Sequence, residues 1–168
     1  MRLIVMGQQA FGKAALETIL DAGIDDVIAV YCAPDKGEQI DPIKEVALER
    51  GLIIKQPNNF EDAAVLDEMR SFKADLCVMA YVTIFVPREA RNVPNHGSIC
   101  FHPSLLPCHR GPSSINWPIM WGATKTGLSY FWPDDGLDEG DILLQKEVVI
   151  EPDDTIGSVY FDKVFPLG

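Results

Sequence analysis

Two stretches of the chain hold side chains that could do acid–base work beside a bound substrate. In Cys100-Phe101-His102-Pro103 an imidazole closes an apolar run and opens a loop rich in Pro and Gly that continues to Pro112. Catalytic groups are commonly carried in such loops at the edge of a rigid scaffold. The second stretch, Pro133 to Asp141, contains Asp134, Asp135, Asp138, Glu139 and Asp141, with Asp138 set between Gly136 and Gly140. A carboxylate fixed within about 4–6 Å of an imidazole favours the imidazolium. Attack on an amide-like carbonyl needs such a positioned donor. Taken singly, each feature has a plainer reading. His102 can be a structural histidine, and the acidic run a solvated turn. A calcium loop is disfavoured, because the EF-hand spacing and its closing Glu are missing and strands flank the run.

Three further constellations point elsewhere and fail. Cys100, His102, Cys108 and His109 suggest zinc, but the C-x-x-C and H-x-x-x-H spacings of structural sites are absent. Gly7-Gln8-Gln9-Ala10-Phe11-Gly12-Lys13-Ala14 approaches a phosphate loop, yet Ala14 stands where a hydroxyl must reach magnesium. The Gly-x-Gly pair of a dinucleotide fingerprint is missing as well. A tight strand-to-helix turn explains this segment better, and such turns line ligand clefts in open α/β sheets. The four cysteines, Cys32, Cys77, Cys100 and Cys108, lack a secreted disulfide framework and read as reduced thiols.

The elements that would position His102 and Asp138 follow from hydropathy patterning. Leu3–Met6, Val27–Tyr31 and Leu76–Ala80 are continuous apolar runs, as expected of strands buried on both faces of a parallel sheet. Between them lie helical patterns over Phe11–Ala22, Pro42–Arg50 and Ala63–Arg70, with a short strand at Leu52–Ile54. Gly97–Phe101 reads as a further strand ending at His102. Beyond it come a helix over Ser114–Met120, strands over Gly127–Trp132 and Ile142–Ile150, and the start of a helix over Thr155–Phe165. The alternation predicts an α/β fold, an open, mostly parallel Rossmann-like sheet with helices on both faces. One domain over residues 1–168 is the expectation, and the helix just begun at the end suggests a piece of a longer chain.

The 168 residues carry a formal charge of −11, from 14 Lys and Arg against 25 Asp and Glu. Nucleic-acid affinity rests on clustered cations that displace counterions, so a nucleic-acid partner is not expected. No stretch nears the roughly 20 apolar residues of a membrane span, and no signal peptide is visible. A cytoplasmic protein is the expectation.

Taken together, Gly97-Ser98-Ile99-Cys100-Phe101-His102-Pro103-Ser104-Leu105-Leu106-Pro107 and Gly136-Leu137-Asp138-Glu139-Gly140-Asp141 resemble the two signatures of the folate-dependent formyltransferase family. The likeness extends through Gly7-Gln8, Phe11-Gly12, Pro34-Asp35-Lys36, His96-Gly97-Ser98, Cys108-His109-Arg110-Gly111, Ser114-Ile115-Asn116-Trp117, Phe131-Trp132 and Pro152-Asp153-Asp154-Thr155.

The resemblance implies a catalytic Asn-x-His with a distant Asp. His102 and Asp138 match the last two, while Cys100 stands at the Asn position. Because the family's hydrolase branch also replaces that Asn, with an aliphatic residue, the departure favours that branch. Nothing near Cys100 in sequence marks it as an activated nucleophile. The resemblance further implies that the loop at Ile84, Phe85 and Val86 holds the pterin end of folate through backbone groups. It implies an enzyme that takes the formyl group from 10-formyltetrahydrofolate, by hydrolysis or transfer to a tethered acceptor, and gives tetrahydrofolate without a metal. A folate small molecule is then the ligand, and a downstream carrier domain in the same polypeptide a possible partner. Two alternatives stay open: formyl transfer to an amine (methionyl-tRNA, a nucleotide sugar or a purine precursor), and a folate-binding module with little activity.

Overall fold

The computed structural model describes residues 1–35, 37 and 39–168, so Lys36 of the Pro34-Asp35-Lys36 motif lies outside the described residues. Two compact units divide the chain, Met1–Ile99 and Cys100–Gly168.

In the first unit the apolar runs become β1 (Arg2–Gly7), β2 (Asp26–Tyr31), β3 (Ile54–Lys55) and β4 (Leu76–Ala80). They pair in the order β3-β2-β1-β4, all parallel. Helices α1 (Gln9–Ala22), α2 (Pro42–Glu49) and α3 (Ala63–Ser71) connect them. Local chemistry sets the helix ends. Asp41 and Asp62 accept the amides of Ile43 and Ala64 as N-caps, and Gly23, at φ 62°, closes α1 with a bond to the Leu20 carbonyl. Val5, Leu16, Val27, Val30, Ile43 and Val46 form one buried cluster that joins α1 and α2 to the sheet. Each such side chain contributes about 1.5–3 kcal/mol by burial. Strand order reverses beside β1, so right-handed crossovers put α3 on the face opposite α1 and α2. A Cβ on Gly7 would lie 2.4 Å from the Ala80 carbonyl oxygen, which shows how closely β1 approaches β4 where this reversal occurs.

The strand expected at Leu52–Ile54 is only Ile54–Lys55, because the Leu52 amide still bonds back to the Ala47 carbonyl at the end of α2. A four-residue helix, α4 (Arg88–Arg91), is too short to show periodicity in the sequence.

β5 (Ser98–His102) crosses the boundary between the units. In the second unit it pairs antiparallel with β6 (Lys125–Phe131), which pairs antiparallel with β7 (Ile142–Val149). Between β5 and β6 lie the long loop after His102 and a short helix, α5 (Asn116–Met120). The α-helix expected at Thr155–Phe165 is instead a π-helix over Ser158–Val164 that runs into an α-turn, Phe165–Leu167. Val159 and Val164 are both fully buried. Five residues apart, they would diverge by about 140° on an α-helix, and the wider π turn brings them toward one side.

Candidate active site

His102 is the last residue of β5 and is 7% exposed. Its ring lies between two oxygens. Nε2 is 3.0 Å from the His109 carbonyl, and Nδ1 is 3.4 Å from Asp138 Oδ2. A carbonyl and a carboxylate both accept, so only a ring protonated on both nitrogens offers a donor to each. The same Asp138 oxygen accepts the Gly111 amide at 2.6 Å. One carboxylate thus holds both the imidazole and the far side of the loop that returns the His109 carbonyl.

Local backbone geometry makes this convergence feasible. His109, Gly111 and Ser113 take φ of 56°, 77° and 63°, which coils the loop back toward its origin. Across the site, the acidic run is the β6–β7 connection. Asp134 accepts the Gly136 amide at 2.8 Å, and the Trp132 amide reaches the Asp141 carbonyl at 2.9 Å. Gly140 sits at φ 113°, where a Cβ would lie 1.9 Å from the Trp132 carbonyl oxygen. Asp138 itself is left-handed at φ 47°, a conformation that Asp tolerates better than most residues. An ion pair of 2.6 Å between Arg110 and Glu139 joins the two loops again.

Cys100 lies two positions before His102 on β5, hence on the same face of the strand. It is half-buried, with Sγ 3.6 Å from the Phe101 carbonyl. On β6, the Tyr130 phenol is pushed up to about 12, chiefly by burial and secondarily by Cys100, and it donates to the Gly168 carbonyl at 2.9 Å.

Ile84, Phe85 and Val86 belong to the first unit, in the loop after β4. Ile84 lines a small apolar hollow with Met6, Tyr31 and Phe60. Phe85 is 71% exposed, and Val86 is buried with its carbonyl accepting from Arg91 Nη1 at 2.8 Å. Gln8 Nε2 donates to Thr83 Oγ1 at 2.7 Å, tying the turn after β1 to this loop. The structure thus brings His102 and Asp138 together with Cys100 on the same strand. It also adds two groups that the sequence reading missed, the His109 carbonyl and the Gly111 amide. Backbone groups leave little trace in sequence, and Gly111 alone signalled an unusual turn there. Among the described residues no cluster of three His, Cys, Asp or Glu side chains is arranged to hold a metal ion. No helix among them is long and apolar enough to cross a membrane.

Fold and site define a class: a mostly parallel, Rossmann-like α/β chain with a buried histidine at the end of a strand, paired with a half-buried carboxylate. The chain belongs to the formyl transferase family, whose profile matches residues 1–164. It is 40% identical, along its whole length, to the cytosolic 10-formyltetrahydrofolate dehydrogenase of Xenopus tropicalis and 39% identical to the human one. It spans only 19% of the length of either. It is also 36% identical to the methionyl-tRNA formyltransferase of Alkaliphilus oremlandii, covering 56% of that protein. Among solved structures, the phosphoribosylglycinamide formyltransferase of Bacillus halodurans superposes with a TM-score of 0.83 at 20% identity, over 96% of this chain and 87% of that one. The family resemblance and the fold expected from the sequence are therefore both borne out.

Proposed function

We propose that the chain removes the formyl group from 10-formyltetrahydrofolate and releases tetrahydrofolate, with His102 and Asp138 as the catalytic pair. The observation that carries this reading is the imidazole of His102 held between Asp138 Oδ2 and a carbonyl oxygen. It is supported by similarity, along the whole of this chain but 19% of their length, to dehydrogenases named for this folate. On the Nε2 side the ring lies 3.0 Å from a carbonyl oxygen, an acceptor of the same kind as a formyl oxygen.

The formyl group is bound to an aryl nitrogen as a weakly activated amide. Water adds to its carbon, and the carbonyl π pair moves to oxygen. His102 donates to that oxyanion, a contact worth about 3–4 kcal/mol in comparable sites. As the tetrahedral adduct collapses, the C–N bond breaks, the nitrogen takes a proton from His102, and formate leaves. Asp138 orients the ring and accepts the proton lost by water. With a thiol in place of water, the same steps give a thioester and tetrahydrofolate. Cys100 is a wall of this site, and lacks the amide donor that the Asn of the family pattern would supply.

In this reading Ile84, Phe85 and Val86 offer backbone groups to the pterin, and no metal takes part. A water or thiol acceptor is favoured over a charged tRNA by the formal charge of −11. The much greater length of the dehydrogenase relatives makes a downstream carrier domain a natural source of the thiol. A cytoplasmic setting is part of the proposal, and the relatives include cytosolic and mitochondrial proteins. The deciding assay measures tetrahydrofolate release from 10-formyltetrahydrofolate, with and without a small thiol, by the wild type and by His102→Ala. Release by the wild type that the substitution abolishes supports the reading. Equal release by both proteins overturns it.

A further inference from the structure

Opposite His102 on β6 stands Ser129, and opposite Ser129 on β7 stands Gln145. Residues directly paired across neighbouring strands share one face of a sheet, so the three side chains form a transverse row. Ser129 is fully buried and every hydrogen-bonding position of its hydroxyl is used. It donates to the Ser104 carbonyl at 2.7 Å and accepts the Leu106 amide at 3.0 Å and Gln145 Nε2 at 2.8 Å. Gln145 Nε2 also donates to the Leu106 carbonyl at 2.8 Å. All the backbone groups caught by this row belong to the loop that leaves His102.

The row reaches the imidazole by two links of that loop. At the near end, the Ser104 amide bonds to the carbonyl of His102 itself at 2.9 Å. At the far end, Ser104 Oγ donates to the Cys108 carbonyl at 2.7 Å, and the next residue, His109, supplies the carbonyl that His102 Nε2 meets. Ser104 is fully buried, so neither link exchanges freely with water. A free loop of this length would leave the Nε2 side of the ring undefined, whereas this one is pinned at 104, 106 and 108.

We infer that Ser129 and Gln145 are positioning residues for the reaction at His102: they hold the 104–109 segment so that the Nε2 proton points at one fixed place. Neither touches the reacting atoms. The inference rests on the assignment of His102 proposed above, and it concerns Ser129 and Gln145, which lie outside the two signature stretches and the acidic run.

Gln145 is exposed, so Gln145→Ala removes the outer half of the row with little risk to folding. The full chain is compared as wild type, Gln145→Ala, Ser129→Ala and Ser129→Thr, reading kcat and KM for tetrahydrofolate release, the pH profile of kcat, and the His102 ring resonances by NMR. Gln145→Ala and Ser129→Ala are expected to lower kcat about 10- to 100-fold, as misplacement of a catalytic group does, with KM within about twofold. The His102 ring signals and the alkaline limb of the kcat profile, where the donor proton is lost, shift together, and Ser129→Thr, which keeps the hydroxyl, restores part of the loss. Unchanged kcat, pH profile and ring signals in folded Gln145→Ala overturn the inference. So does a loss confined to thermal stability. A wild type without activity, but with His102 resonances that respond to Gln145→Ala, overturns the proposed reaction and leaves the positioning role standing.

Discussion

Asp138 Oδ2 serves two partners at once, the Gly111 amide at 2.6 Å and His102 Nδ1 at 3.4 Å. The two contacts separate under substitution. In Asp138→Asn the amide oxygen still accepts from Gly111, so the loop keeps its shape while the ring loses its anionic neighbour. The expected result is an unfolding temperature near that of the wild type and a kcat for tetrahydrofolate release lower by about 10²–10⁴, the usual worth of a positioned acid or base. Steady-state kinetics beside a thermal melt check it, and near-native kcat would remove Asp138 from the catalytic pair.

Cys100 shares its strand face with His102 and stands where the family pattern has Asn. Restoring the amide by Cys100→Asn adds a donor on that face. Formyl removal is expected to stay level or rise several-fold, within the roughly 3–4 kcal/mol limit of one oxyanion donor. A sharp fall in the same assay would assign the thiol an active part.

The thiols are expected to react in order of exposure. Burial pushes the Cys32 thiol up to about 11 and the Cys77 thiol up to about 12, so both stay protonated at pH 8 in the folded protein, whereas Cys108 is exposed. Brief alkylation followed by peptide mass spectrometry should label Cys108 first, and Cys32 and Cys77 only after denaturation. Early labelling of Cys77 would contradict the packing of β4.

Gly7 is expected to tolerate no side chain. A Cβ there would lie 2.4 Å from the Ala80 carbonyl oxygen, a backbone atom that cannot swing aside. Gly7→Ala should destabilise the chain by about 1–3 kcal/mol in urea unfolding, the usual cost of overpacking. Gly23→Ala, with open space around it but φ 62°, should cost about 1–2 kcal/mol from backbone strain alone.

Asp154 anchors the start of the π-helix. Its carboxylate is held down to about 2, first by the hydrogen bond from Lys163, then by the Glu151 amide and the Ser158 hydroxyl. A depressed carboxyl stabilises the folded state above its ordinary value of 3.8, and that contribution fades as pH falls through about 2. Thermal melts from pH 5 to pH 2 should therefore show a shallower acid decline for Asp154→Asn than for the wild type. Parallel curves would argue against the anchor.

Much of the fold was legible because β1, β2 and β4 are continuous apolar runs, which only strands covered on both faces can use. In the structure Asp41 and Asp62 cap the starts of α2 and α3, and Gly23 closes α1. Less legible was the segment after α2, where Leu52 looked like the first residue of a strand but its amide remained bonded to the helix. The run at Thr155–Phe165 was correctly read as helical. Its π character was not visible, because periodicity over one short element does not separate two helical turns that differ by less than one residue.

For the candidate site the same division holds at finer scale. His102, Asp138 and Cys100 could be named in advance because they fall within two stretches that resemble the family signatures, with Cys100 the one departure. The sequence by itself therefore determined the α/β class, the family and the residues to suspect. Only the tertiary structure decided what those residues meet. The His109 carbonyl and the Gly111 amide are backbone groups whose direction depends on left-handed φ values along one loop. The Ser129–Gln145 row exists only because β5, β6 and β7 pair in one register. Sliding that register by one residue would turn Ser129 to the other face, and no local pattern in the sequence specifies the pairing.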